Sequence, residues 1–338
     1  MLQFQNRGIS IVIIFLLFFS CFATAQADTK TEPIKIVFST FWPVSYEYLW
    51  IPITHFAEKI EKESNQRVKF KLYHSKQLFG GKEELAALER GDVDMICPTD
   101  LYHTELIPEL GITSLPFLYK DAESFQKILE AGLFDLGINQ KFLEHNIVAL
   151  SAWGGDPFQI YSLEFPVISP EDMKGKKWAV AGPIHSKAIE ILGGIPDFLS
   201  SSQLYMAFQK GMINGGTRPL ITGYGRKLYE VVDYLTITNF AFFTSVLCIN
   251  KSKWESLPKD IQDIILEADK ERIKENSRMV KDFIDNTIKT FEEQGIKVHI
   301  SSQKEKEAFK KAMAPVYDWW LKQVPDGQKY IDFVNQYQ

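Results

Sequence analysis

The chain has no Gly-x-Ser-x-Gly elbow, and its paired glycines, Gly154-Gly155 and Gly193-Gly194, lack the spacing of a nucleotide or dinucleotide fingerprint. That leaves hydrolase and phosphate-loop chemistry without a motif, so no catalytic residue is assigned and an enzyme is not expected. Cysteine is scarce, with Cys21, Cys97 and Cys248 the only three. Their spacing matches no zinc or iron–sulfur pattern, and the six histidines are scattered singly, so neither a metal nor another cofactor is expected. There is no basic block: 38 Lys and Arg face 43 Asp and Glu, a net charge of −5 that argues against nucleic acid as a partner. Internal repeats and low-complexity tracts are also missing.

One long apolar run is present, at residues 9–19, after a single positive charge at Arg7 and before Ala23-Thr24-Ala25. Small residues two apart after an eleven-residue apolar stretch predict a signal peptide over residues 1–25, cleaved before Gln26. Eleven residues are too few to cross a bilayer, which takes roughly 20. A lipid anchor on Cys21 is the alternative, although Phe18-Phe19-Ser20 suits a lipobox poorly. The mature chain is then a periplasmic protein, large enough for two domains. For Cys97 and Cys248, each in an apolar strand-like run, free buried thiols are expected and a disulfide stays open.

Strand-like segments at 34–41, 68–73 and 93–97 alternate with helical periods at 46–63 and 82–90. Such alternation predicts βαβ units, an α/β class with helices on both faces of a mostly parallel sheet. A second alternating set begins near residue 155, with strands at 147–153 and 177–181 and helices near 185–192 and 202–210. Later strands at 247–250 and 298–300 send the chain back across, which predicts two lobes with several hinge crossings and a ligand cleft between them. Residues 259–294 contain neither Gly nor Pro and carry an apolar stripe. Unbroken, that helix is about 54 Å long and has to brace both lobes; a break at Asn276-Ser277 is the alternative. A final helix over 303–321 carries Trp319 and Trp320 as docking anchors.

The stretch Pro-Glu-Asp-Met-Lys-Gly at 170–175, Leu-Gly-Gly at 192–194 and Leu-Tyr-Met-Ala-Phe-Gln-Lys-Gly-Met-Ile-Asn-Gly-Gly at 204–216 resembles the central signature of the extracytoplasmic solute-binding subunits of tripartite ATP-independent periplasmic (TRAP) transporters. Gln77-Leu78, Gly80-Gly81, Leu-Glu-Arg-Gly-Asp-Val-Asp at 88–94 and Leu-Pro-Phe-Leu at 115–118 extend the likeness over nearly the whole mature chain. The resemblance implies a two-lobed periplasmic-binding-protein fold with mixed sheets, hinge crossings and a long helix spanning both lobes. We place lobe I at 28–155 plus 243–285 and lobe II at 156–242 plus 286–338. It implies capture of a small organic solute, an organic acid by family default, and delivery by a monomer to one small and one large membrane subunit. A protein that presents its closed form to a sensing receptor is the alternative.

Family members that bind carboxylates use an arginine shortly after the Asp-Leu-Lys-Gly element, and here that position is Ala179, beside Trp178. Alanine cannot pair with an acid. Arg218 stands where the family carries an asparagine, so Arg218 is our candidate anion contact, with an interlobe brace or carbonyl cap as the structural alternative. Phe41, Trp42 and Glu47 lie at the first strand-to-helix junction, and Asp100, Trp153 and Asp156 at strand exits, where ligands of such folds sit. Ordinary core packing for the aromatics and turn capping for the aspartates compete with those roles.

Overall fold

The computed structural model describes residues 32–337, so the signal-peptide reading of residues 1–25 lies outside the described residues. Among the described residues there are ten strands: β1 (Ile34–Ser39), β2 (Val68–Tyr73), β3 (Met95–Ile96), β4 (Ile147–Ser162), β5 (Lys177–Val180), β6 (Ile195–Phe198), β7 (Gly215–Pro219), β8 (Tyr234–Ile237), β9 (Phe242–Asn250) and β10 (Lys297–Ile300). In the first lobe β2, β1 and β3 run parallel, and β9 enters antiparallel between β3 and β4. In the second lobe β7 and β8 flank β4 antiparallel, with β5 and β6 parallel beyond β7 and β10 parallel beyond β8. The two-lobed α/β class is the one the alternation of elements predicts, whereas the mixed sheets, with antiparallel pairings around β4 and β9 in place of a mostly parallel sheet, are those the family resemblance implies.

A single 16-residue strand serves both lobes. Residues 147–157 of β4 pair with β9, residues 158–162 pair with β7, and the register shifts between Gly154 and Pro157. Such an irregularity bends a strand locally. Here it separates the two pairing partners, so the chain changes lobe without leaving extended structure.

The long helix runs unbroken over Lys259–Glu293, 35 residues or about 52 Å. Its early residues Ile261, Ile265 and Ala268 belong to the first hydrophobic core and Phe291 to the second, while Phe283 and Ile284 pack against both. Asn276 and Ser277 do not break it, because both are engaged: Asn276 donates to the Tyr48 carbonyl, and Ser277 Oγ accepts the Trp153 indole N–H at 3.1 Å. The predicted helix over 303–321 is instead two, Gln303–Met313 and Pro315–Gln323. Pro315 supplies no N–H to the preceding turn and opens the second helix at its first position. Trp320 is buried and donates to the Pro108 carbonyl at 2.9 Å.

β7 has no counterpart in the sequence reading, since Gly215-Gly216 suits a strand poorly on propensity. The glycine is required by proximity: a Cβ on Gly215 stands 2.2 Å from the Trp178 ring. Cys97 and Cys248 are both buried free thiols, and burial pushes the Cys97 thiol up to about 11.

Candidate functional site

The two lobes meet at the carboxyl end of β1. From the first lobe come Phe41 and Tyr46 after β1, Lys82 after the Gly80-Gly81 turn, and Tyr102 in the 3-10 turn Asp100–His103. From the second come Phe198 at the end of β6, Ser201, Thr222 in the helix Leu220–Gly225, and Arg226 after it. Direct bonds cross the seam: Ser201 N–H to Tyr102 Oη at 3.0 Å, Tyr46 Oη–H to Thr222 Oγ1 at 3.2 Å and Ser45 Oγ–H to the Gly225 carbonyl at 3.0 Å. Lys82 Nζ donates to the Phe198 carbonyl at 3.0 Å and lies 3.3 Å from the centre of that ring. A chamber of about 380 Å³ opens here, lined by Phe41 and Lys82 on one side and Ser200, Gln203 and Arg226 on the other.

Arg218 projects from β7 and is buried, 2% exposed. Its Nη1 donates to the Thr217 carbonyl at 2.6 Å, and its Nη2 to the carbonyls of Leu199 at 2.6 Å and Val180 at 2.9 Å. The Nε–H has no acceptor. Burial lowers its pKa. Among the described residues no carboxylate lies within 4.0 Å of it, in contrast to the other buried arginine, Arg272, whose Nε donates to Asp269 at 2.7 Å. His185, also buried, is pushed down to about 3 by burial and then by Arg218, so it adds no positive charge at neutral pH.

The other candidates divide by surroundings. Phe41 lines the chamber with its ring 5.5 Å from Tyr102, and Trp42 lies behind it, buried, 6.2 Å from both Phe41 and Phe243, with an indole N–H that meets no acceptor. Asp100 is buried and accepts from Leu101 N at 2.7 Å and from Thr113 Oγ1; burial raises its carboxyl to about 7 against the opposing pull of those bonds. Asp156 sits at the crossover of β4 and accepts from Tyr48 Oη, which follows β1, and from Ile221 N at 2.9 Å, which follows β7. Burial raises it, too, to about 7. Trp153 packs 5.7 Å from Tyr48, and Trp178 donates to the Met173 carbonyl at 3.0 Å, both indoles satisfied within the protein. Glu47 is exposed and borders a separate pocket of about 310 Å³ with Tyr48, Tyr224 and Phe283.

Lys82, Tyr102 and Arg226 stand at this seam and are not among the candidates read from the sequence. One signal was available for Arg226: residues 211–225 contain no acid, and two arginines eight positions apart frame one short helix.

A family model described as bacterial extracellular solute-binding protein, family 7, matches residues 39–323. The chain is 27% identical over 268 residues to the C4-dicarboxylate-binding periplasmic protein DctP of Rhodobacter capsulatus, covering 78% of this chain and 79% of that protein. It is 28% identical over 263 residues to the sialic acid-binding periplasmic protein SiaP of Vibrio cholerae, covering 77% and 80%. Its fold is similar to the crystal structure of a TRAP periplasmic solute-binding protein from Sulfurospirillum deleyianum with bound succinate, at a TM-score of 0.84 and 24% identity over 91% of this chain and 100% of that one. With a model matched over most of its length and a cleft between two lobes on one shared strand, the chain belongs to the bacterial extracellular solute-binding proteins of family 7, the TRAP-type binding proteins, which are not enzymes.

Proposed function

We propose that this protein captures a small organic acid in the cleft between lobe I (28–155 plus 243–285) and lobe II (156–242 plus 286–338). In this reading it works as a periplasmic monomer after loss of residues 1–25 and passes the acid to the small and large TRAP membrane subunits. The observation that carries the reading is Arg218, a buried cation whose hydrogen-bond partners are backbone carbonyls and which, among the described residues, has no carboxylate within 4.0 Å. A buried charge without a counter-ion costs several kcal/mol. An anionic ligand entering the cleft offsets that cost, whereas a neutral solute or an amine does not. Phe41, with Trp42 buried behind it, is the apolar wall against which the rest of the ligand packs. The ligands named for the relatives agree in kind, since C4-dicarboxylates, sialic acid and succinate are all acids. Because such a ligand touches both lobes, it stabilises only the closed state and so drives closure.

The test is a thermal-shift screen of the mature protein against acids, amines, polyols and aromatic compounds. At 100 times its dissociation constant a ligand adds about 2.7 kcal/mol of stability. Stabilisation by carboxylates is the expected result; hits confined to amines or uncharged compounds sink the acid reading.

A further inference from the structure

With its four terminal N–H groups committed to four carbonyls, those of Thr217, Ala179, Val180 and Leu199, Arg218 has one N–H left to offer, too few for the two-point grip by which a guanidinium holds a carboxylate. Its bonds reach β5 through Val180, the loop after β6 through Leu199 and β7 itself through Thr217, so its geometry is that of a fixed brace that also carries charge.

Arg226 is placed differently. Only its Nη2 is used, donating to Ser201 Oγ at 3.2 Å, and its Nε is buried without an acceptor. Its guanidinium carbon stands 5.4 Å from the centre of the Tyr46 ring, which belongs to the other lobe. Lys82 lines the same chamber from the far side. Among the described residues neither cation has a carboxylate within 4.0 Å, and Glu83, the acid in the chamber lining, accepts the Gly80 N–H at 2.8 Å and does not pair with either. The lining therefore carries three cations, Lys76, Lys82 and Arg226, against one acid, Glu83, and Lys82 and Arg226 stand on opposite lobes.

We propose that Arg226, with Lys82 facing it across the cleft, grips the acid group of the ligand and makes closure depend on that group, while Arg218 braces the second lobe and sets the field. The assignment rests on the organic-acid reading above. It puts the carboxylate in the 380 Å³ chamber at Arg226 and the remainder of the ligand against Phe41. Closure follows because one anion meets a cation from each lobe at once, an interaction the open state cannot make.

The experiment is calorimetric titration of the mature protein, wild type, R226Q, R226K and K82Q, with succinate, D-glucuronate and N-acetylneuraminate, and with the amide of whichever acid binds. For that acid R226Q is expected to weaken binding at least about ten-fold, the loss of one charge-assisted hydrogen bond, with R226K and K82Q losing less. The amide is expected to bind wild type and R226Q alike, a pattern that a merely structural arginine does not produce. Acid binding within two-fold of wild type in R226Q, or equal losses for acid and amide, overturns the assignment while leaving the organic-acid reading intact. Failure of every acid to bind the wild type overturns that reading and this assignment together. If R226Q does not fold, as judged by circular dichroism, unchanged acid binding in K82Q overturns the assignment in its place.

Discussion

Asn276 donates its side-chain amide to the carbonyl of Tyr48, the acceptor that Pro52, having no N–H, leaves unbonded four residues later in the helix Glu47–Glu63. A defect in one helix is thus filled from the middle of the long helix, and the same Asn276 accepts from Arg272 Nη1 at 3.1 Å. The bond fixes the long brace to the first lobe close to the point where Phe283 meets both cores.

Replacing Asn276 with alanine leaves the Tyr48 carbonyl and one Arg272 donor buried and unpaired. A loss of about 1 to 3 kcal/mol in urea unfolding is expected. In a Pro52→Ala background, where the helix can supply its own donor, the same substitution should cost less. Equal costs in the two backgrounds would show that the proline and the asparagine are not coupled.

Asp156 and Asp100 are held at about 7 by burial, above the roughly 3.9 of an exposed aspartate. Because the unfolded chain releases these protons first, the folded state loses stability as pH rises from about 4 through about 7; the contribution is fully present below that window. Tyr48 and Tyr161 are the titratable groups linked to Asp156, and both stay neutral throughout the window. Asp156→Asn should flatten part of this dependence. Urea midpoints of both proteins at pH 5 and pH 8 are the comparison, and identical pH dependence in the two refutes the assignment.

Arg272 and Asp269 form a buried pair on the long helix, 2% and 5% exposed at their side chains. Asp269→Ala strands a cation in the core and is expected to cost about 3 to 5 kcal/mol, whereas the double change Asp269→Ala with Arg272→Met should recover part of it. A double variant no more stable than the single one contradicts this.

A Cβ at position 215 meets the buried Trp178 ring at 2.2 Å and the Tyr161 carbonyl oxygen at 2.8 Å. Gly215→Ala should therefore destabilise by about 1 to 3 kcal/mol, the usual range for overpacking. Thermal melts would reveal a harmless alanine at once.

If the ligand is an acid, Arg218→Met removes the buried charge that sets the field and should weaken binding of the acid more than binding of its amide. Titration with the acid and with its amide separates charge from packing, and equal losses would make Arg218 a brace alone.

Local pattern carried much of the fold. The alternation over 34–97 and the uninterrupted run over 259–294 appear in the structure as β1, β2, β3 and the 35-residue helix, because apolar periodicity and the positions of Gly and Pro are local properties. The division of the final helix at Pro315 was equally local and was passed over. Of the residues at the seam between the lobes, Phe41 was legible as an aromatic at a strand end, but Lys82, Tyr102 and Arg226 were not, since nothing near them in the chain shows what they face.

By itself the sequence determined the class of the protein: an α/β chain with two sets of alternating elements, one helix long enough to join them and the signature of a family of solute-binding proteins. Only the tertiary structure decided which groups share the cleft and in what state. β7 exists because Gly215 lets β4 and the Trp178 ring approach, a demand that appears only when strands far apart in sequence pair. Arg218 was readable as a cation, but that carbonyls occupy its terminal nitrogens while Arg226 keeps a free Nε depends on contacts 19 to 39 residues away in one case and across lobes in the other. Hydrogen-bond saturation and burial are sums over neighbours in space, and a sequence lists neighbours along the chain.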